Sequence, residues 1–264
     1  MRKWFRKPFV IVIIIVITIV GCWELCKPAE PSYEKKPLSF WLANYVPGTE
    51  GGPSQQEADK AMRAVGTNAI PTLLRLVQEK ESPLKLKWYE LLKWLDDQYA
   101  FKTKYSLAWE RNYEGFAGFK ALGADARVAV PDLIKIYDRN VSPDSRTAAI
   151  FSLGAIGPSA NSAVPSLLKW LAAKPNDFDL LQALGEIHSD PDLVVPVLIA
   201  HLGDSQPIAR QYAAKGLGAF GADAKPAVPA LFETLKDEKD VVRRAARDAL
   251  VKIDPEAASK ARVN

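Results

Sequence analysis

Apolar residues are arranged in two ways along this chain: one continuous run near the start, then a long periodic pattern. The run from Phe9 to Trp23 contains no charged residue and follows a basic tail. From Gln55 onward, small and large apolar residues recur at the three- and four-residue spacing of amphipathic helices. The pattern predicts an N-terminal membrane segment followed by an all-α body.

The periodic part is an internal repeat. Four successive prolines, Pro131, Pro165, Pro196 and Pro229, lie 34, 31 and 33 residues apart, whereas Pro71 precedes the first of them by 60 residues. The surrounding pattern of Gly, Ala, Val-Pro and Leu occurs in five segments, the first of them degenerate: 64–77, 121–137, 152–171, 183–202 and 216–235. A period of this length is typical of helical units that stack on their neighbours.

The pattern predicts two helices in each unit. A small-and-apolar segment such as 146–154 ends at Gly154, because glycine adopts a left-handed turn without steric cost. A second helix then begins at the proline, whose missing N–H is not needed in a first turn. Neither helix of a unit can bury its apolar face alone, so neighbouring units must stack. We therefore expect residues 55–254 to form an α-α superhelix of about five helical pairs without strands.

The repeated motif resembles that of bacterial HEAT repeats, including the version named after phycobilisome lyases: A-L-G-x-x-G-x-x-A-x-x-A-V-P-x-L-x-x-x-L. With its N-terminal segment, the chain resembles the membrane-tethered HEAT-repeat proteins of bacteria. The resemblance implies a HEAT-repeat solenoid that contacts other proteins. It also leaves a second function open, that of an accessory protein of lyase type that holds a small ligand or acts on a protein substrate.

Residues 1–26 are interpreted as a signal anchor or a lipoprotein signal. Fifteen charge-free residues are short for a membrane span but can be extended by snorkelling of the basic tail. The tetrapeptide ending at Cys22 resembles a lipobox, which makes Cys22 the lipidation candidate. Both alternatives attach the body to a bacterial cell membrane, and the basic tail predicts that the repeats lie on the extracytoplasmic side.

The linker and the C-terminal segment are delimited by the positions of prolines, glycines and charged residues. Residues 27–54 are expected to be a linker that begins as an extended spacer and contains a short docking helix at 38–45. Residues 255–264 are expected to form a C-terminal cap or tail.

Charge and composition argue against nucleic acid and against catalysis. The 35 Lys and Arg exceed the 31 Asp and Glu only through four basic residues before residue 8, so the body is neutral. The chain has 2 Cys and 2 His, and neither His188 nor His201 has a spacing that enforces metal binding. We expect no catalytic residue, no metal site and no cofactor.

An insertion at 84–120 holds ten of the 25 aromatic residues. Two helical stripes within it predict a thick local core: Trp88, Leu91, Leu92 and Leu95, and then Tyr105, Trp109, Tyr113 and Phe116. Trp94, Tyr99 and Phe101 fall off these stripes. They are either further core or an exposed patch that anchors a partner.

The second helices are expected to line the concave face, where Arg75, Lys135 and Lys169 are candidate partner contacts. The sequence therefore predicts a monomeric, non-catalytic scaffold that binds a protein or peptide through its concave face and its aromatic insertion.

Overall fold

The computed structural model describes residues 29–46, 53–99 and 106–261. A short hairpin, β1 (Ser32–Tyr33) paired antiparallel with β2 (Lys36–Pro37), precedes a series of helices. The helices are α1 Leu38–Leu42, α2 Gln55–Val65, α3 Ile70–Val77, α4 Pro83–Tyr99, α5 Ala108–Leu122, α6 Val130–Arg139, α7 Pro143–Ile156, α8 Val164–Ala173, α9 Phe178–Ile187, α10 Pro191–His201, α11 Pro207–Phe220, α12 Val228–Thr234, α13 Asp240–Ile253 and α14 Pro255–Ala261. The predicted membrane segment 1–26 lies outside the described residues.

The helices form a two-layer stack. The first helices of successive units, α5, α7, α9, α11 and α13, pack side by side along the array. The second helices α6, α10 and α12 pack mainly against the first helix of the following unit. Buried Ala, Leu, Ile and Val residues between the layers make one continuous core. The predicted all-α solenoid is confirmed.

The turns after the first helices α2, α5, α7, α9 and α11 each depend on a residue with positive φ at the end of that helix. Gly157 has a φ of +70° and caps α7, and glycines occupy the equivalent position after α2, α5 and α11. Gly154, predicted to end α7, lies inside that helix instead. The prolines do begin the second helices, as Pro131 does in the first turn of α6.

The fourth unit departs from this pattern. His188 takes the left-handed cap position with a φ of 33°, and α10 begins five residues before Pro196, at Pro191. Pro196 consequently lies within the helix. The sequence predicts that Pro191–Asp192 shifts the loop between the two helices of this unit, and the structure places the pair in an extra first turn of α10.

The segment before the repeat is folded rather than extended. β1 and β2 form a hairpin, and the indole Nε1 of Trp41 donates a hydrogen bond to the Tyr33 carbonyl at 3.3 Å. Leu38, Trp41 and Leu42 are buried where α1 packs against α2 and α5. Residues 29–37 therefore belong to the N-terminal end of the body, which corrects the expected extended spacer.

The insertion is smaller than predicted. α5 is the ordinary first helix of the second unit, since it packs against α3 and α7 as the other first helices pack against their neighbours. Within the described residues, the additional element is α4. It makes no extensive packing contact with another described element, in contrast to the repeat helices.

Candidate protein-binding groove

The aromatic residues of α5 lie on the surface. Trp109 is 46% exposed and Tyr113 is 39% exposed, while Phe116 is half-buried. The predicted buried stripe on this helix is therefore wrong. On α4, the predicted core residue Leu91 is exposed and Trp88 is only half-buried, so that prediction is also wrong. Tyr105 lies outside the described residues.

Away from these rings, α5 contacts α3 closely through small residues, and it also buries the large ring of Phe119. A Cβ on Gly115 would lie 2.7 Å from Val77 Cγ2 and 3.0 Å from the Leu73 carbonyl oxygen, so α3 approaches the α5 backbone directly. Asn112 completes this contact, as its Nδ2 donates to the carbonyls of Leu76 and Val77 at 2.9 Å. Because backbone contact is possible only through the small side, the aromatic side faces outward.

The first helices form the more tightly spaced layer. A Cβ built on Gly185 of α9 would lie 2.6 Å from the Cα of Gly216 in α11, so these backbones nearly touch. Successive second helices make far less contact with one another. In a curved array the layer with the shorter spacing lies on the inside, and we infer that the first helices line the concave face. The repeat pattern had predicted the second helices on that face instead.

A groove of about 470 Å³ runs over this inner layer. Residues of α5, α7 and α9 line it: Trp109, Asn112, Tyr113, Phe116, Lys120, Asp144, Thr147, Ala148, Phe151, Ala155, Gln182 and Glu186. A second depression of about 330 Å³ shares Gln182 and Glu186 and continues to Tyr212 and Lys215 of α11. The two depressions are neighbours along four first helices, and together they are called the trough.

The aromatic rings make an apolar strip at one end of the trough. The rings of Tyr113 and Phe116 meet edge to face with centroids 5.8 Å apart, and Phe116 lies at the same distance from Phe151 of α7. Edge-to-face pairs hold their rings in a fixed orientation. The strip is thus a pre-formed apolar surface that joins two units.

The rest of the trough is polar but not strongly charged. Lys120 and Lys215 share it with Asp144 and Glu186, and Gln182 donates to Glu186 at 2.8 Å. Burial, and then the carboxylates of Asp179 and Glu186, raise the pKa of the Tyr212 phenol above its ordinary value. The phenol therefore stays protonated at neutral pH and can donate a hydrogen bond.

The residues predicted to bind a partner are not gathered into one site. Arg75, Lys135 and Lys169 lie on the second helices α3, α6 and α8, the layer opposite the trough. Arg75 lies 4.0 Å from the Glu79 carboxylate, and Lys135 pairs with Asp132 at 2.9 Å. Trp94, on α4, is 54% exposed. The Tyr99 side chain, Phe101 and Cys22 lie outside the described part, so their roles remain predictions.

The two histidines are engaged locally. His188 Nδ1 lies 2.8 Å from the Glu186 carbonyl oxygen, and His201 Nδ1 lies 3.3 Å from Asp204 Oδ2. Asp204 in turn accepts from the Gln206 backbone N–H at 2.8 Å. Across 29–46, 53–99 and 106–261, no three His, Cys, Asp or Glu side chains come close enough together to hold a metal ion.

Stacked helical pairs with a long inner trough define a helical-repeat scaffold. The profile of the HEAT repeats family matches residues 195–261, from within α10 to the end of α14. That match covers about a quarter of the chain, and no curated protein shows significant similarity to it. No helix in the described residues is long and apolar enough to cross a membrane.

Proposed function

We propose that this chain is a non-catalytic HEAT-repeat scaffold that binds a segment of another protein in the trough of its first-helix layer. The observation that carries the proposal is the aromatic strip in the trough, in which Trp109 and Tyr113 are exposed and Phe116 and Phe151 are half-buried. Large aromatic side chains supply most of the binding energy at protein interfaces. The HEAT repeats match supports a role in protein interaction.

The shape of the trough favours an extended segment. Packed helices are about 8–10 Å apart, so four first helices span about 25–30 Å, the length of about eight extended residues. The apolar strip would take one or two large side chains of that segment. Beyond the strip, Gln182, Glu186 and Tyr212 offer hydrogen-bonding groups along its backbone. Both charge signs are present, so a partner of mixed composition fits better than nucleic acid.

The proposal includes attachment to a bacterial cell membrane through residues 1–26, with the repeats on the extracytoplasmic side. Its support is the sequence: a charge-free run from Phe9 to Trp23 that follows Arg2, Lys3, Arg6 and Lys7. The scaffold would then hold its partner near the bilayer. We expect the chain to act as a monomer.

Replacing Cys22 by Ala distinguishes the two forms of attachment. A lipoprotein variant would lose lipidation and processing, so the precursor would keep its full N-terminus. A signal anchor would keep its attachment, and its mass would fall only by the one sulfur atom lost in the substitution, because Cys22 has no part in it. Intact mass measurement of the membrane fraction checks this, and a mass change of that one atom alone in Cys22→Ala removes the lipoprotein alternative.

Tyr113→Ala should weaken binding of the native partner by about 2 kcal/mol, or about 30-fold in Kd. The unfolding free energy should change by less than about 1 kcal/mol, because Tyr113 is largely exposed and α5 packs through its glycine face. The partner is first identified by photocrosslinking from a benzoylphenylalanine placed at residue 113. Titration of the purified partner with wild type and variant then gives the two affinities.

Val128→Ala is the matched control, since Val128 is 66% exposed but lies in the turn after α5, outside the trough. It should leave the affinity unchanged, and a crosslinker at residue 128 should not capture the same protein. Equal loss of affinity in Tyr113→Ala and Val128→Ala would show that the trough is not the binding surface.

A further inference from the structure

We propose that α4 lies on the surface of a phospholipid bilayer, with the stripe of Leu84, Trp88 and Leu91 facing the lipid. The inference rests on the membrane attachment proposed above and adds a second contact, made by the folded body. It gives α4 a role that its position in the repeat does not require.

The apolar stripe of α4 is not covered by the solenoid. Leu84 is 80% exposed, Leu91 is exposed and Trp88 is half-buried. The repeat helices bury their equivalent positions, whereas α4 has no extensive contact with any other described element. A 17-residue helix gains most of its stability from an apolar face that is packed against something. The described elements do not supply extensive packing for this face of α4.

Charged residues around the stripe are placed as at a lipid interface. At about 100° per residue, Lys85 and Lys87 flank the stripe on its two sides, with Asp96 beside Lys85, while Glu90, Lys93 and Asp97 lie on the opposite face. Lysines in these positions can extend to phosphate groups while their aliphatic stems cover apolar surface. Lys85 also lies 3.5 Å from the Glu79 carboxylate, at the start of the helix.

The length of the tether keeps this end of the body close to the membrane. The charge-free run ends at Trp23, and the described body begins at Ala29. The intervening residues 24–28 reach at most about 20 Å, even fully extended. The hairpin packs on α2, and α4 begins six residues after the first unit ends at Val77. The tether therefore keeps the first unit within reach of the bilayer, and α4 follows that unit directly in the chain.

A second copy of the chain fits this stripe less well. A helix of 17 residues is about 25 Å long and about 10 Å wide, which gives about 250 Å² of contact for each partner. Two such faces bury about 500 Å², whereas a stable dimer needs about 1,000 Å² or more. A bilayer has no such requirement, since each apolar residue inserts independently and the N-terminal segment already holds the protein there.

The test places a dansyl-alanine at residue 91 of the full-length chain, in vesicles of phosphatidylcholine and phosphatidylglycerol at about 3:1. A lipid with a nitroxide near the headgroup serves as the quencher. We expect at least about twofold quenching at residue 91. The same label at residue 90, on the opposite face, is the matched control and should be quenched far less. Circular dichroism of each labelled chain verifies that the helices are intact.

Flotation of the same vesicles separates the two levels of the proposal. In one outcome the chain floats with the vesicles but shows equal, weak quenching at residues 90 and 91. The chain is then attached through its N-terminus while α4 is not in lipid. This result refutes the inference about α4 and leaves the proposed attachment intact. A chain that does not float refutes the attachment and the inference together. The chain could instead sediment as a dimer in which the label at residue 91 is shielded from the quencher. A second copy of the chain would then cover the stripe, and this result would also refute the inference.

Discussion

Replacing Arg210 by Ala should lower the free energy of unfolding by about 4 kcal/mol. Arg210 is 9% exposed and makes a two-point pair with Asp237, with Nε 2.6 Å from Oδ2 and Nη2 2.9 Å from Oδ1. Its Nη1 also donates to the Asp204 carbonyl at 2.9 Å. The one side chain thus ties the loop before α11 to the loop before α13, and its removal leaves the buried Asp237 carboxylate without its partner.

Lys135→Ala is the control for this prediction. Lys135 and Asp132 also form an ion pair at 2.9 Å, but both side chains are exposed. Such pairs contribute at most about 1 kcal/mol, because water screens the charges. Urea unfolding followed by circular dichroism should separate the two variants clearly. If the free energy of unfolding falls equally little in both variants, the Arg210 pair does not connect the two units as the structure indicates.

The stability difference between wild type and Arg210→Ala should also depend on pH, which gives a second measurement. The hydrogen bonds from Arg210 lower the pKa of Asp237 below its ordinary value of 3.8. A lowered carboxylate pKa stabilises the fold at pH values above the ordinary value, and this contribution is lost as the pH falls through the native pKa. The stability gap between wild type and Arg210→Ala should therefore be full at neutral pH and shrink below about pH 4.

The sequence predicted the repeat because its signals are local and recur. Pro131 and its equivalents restrict the start of a second helix wherever they occur, and this restriction needs no tertiary contact. The same pattern placed the end of α7 three residues too early, at Gly154 instead of Gly157. Both are glycines in a helical repeat, and only the backbone shows that one packs against a neighbour while the other turns the chain.

The aromatic face of α5 was assigned wrongly for a physical reason. A stripe of Trp109, Tyr113 and Phe116 fits the rule that large apolar side chains form the core. The rule fails for these three residues because α5 contacts α3 through Gly115 and Gly118, whereas the ring that this helix buries completely is that of Phe119. The spacing of Gly115 and Gly118 on the opposite face was the available signal. The hairpin at 32–37 could not be predicted in the same way, since its stability depends on Trp41, eight residues after Tyr33.

Gly185→Ala should lower the free energy of unfolding by about 3 kcal/mol, the upper end of the range for overpacking. The added Cβ would lie 2.6 Å from the Cα of Gly216, which is backbone and cannot turn away as a side chain could. α9 and α11 must therefore separate, and the contacts on both sides of the junction are lost. The loss would exceed the gain of about 1 kcal/mol that Ala brings to a helix interior.

Gly203→Ala is the matched control, because the nearest atom to a Cβ there is the Ala200 carbonyl oxygen at 3.9 Å. That variant should change the stability by less than about 0.5 kcal/mol. Thermal and urea unfolding of the two alanine variants test the spacing of the inner layer directly. A neutral Gly185→Ala would mean that α9 and α11 are farther apart than the structure places them. The assignment of the concave face to the first helices, and with it the trough as the binding surface, depends on that short distance.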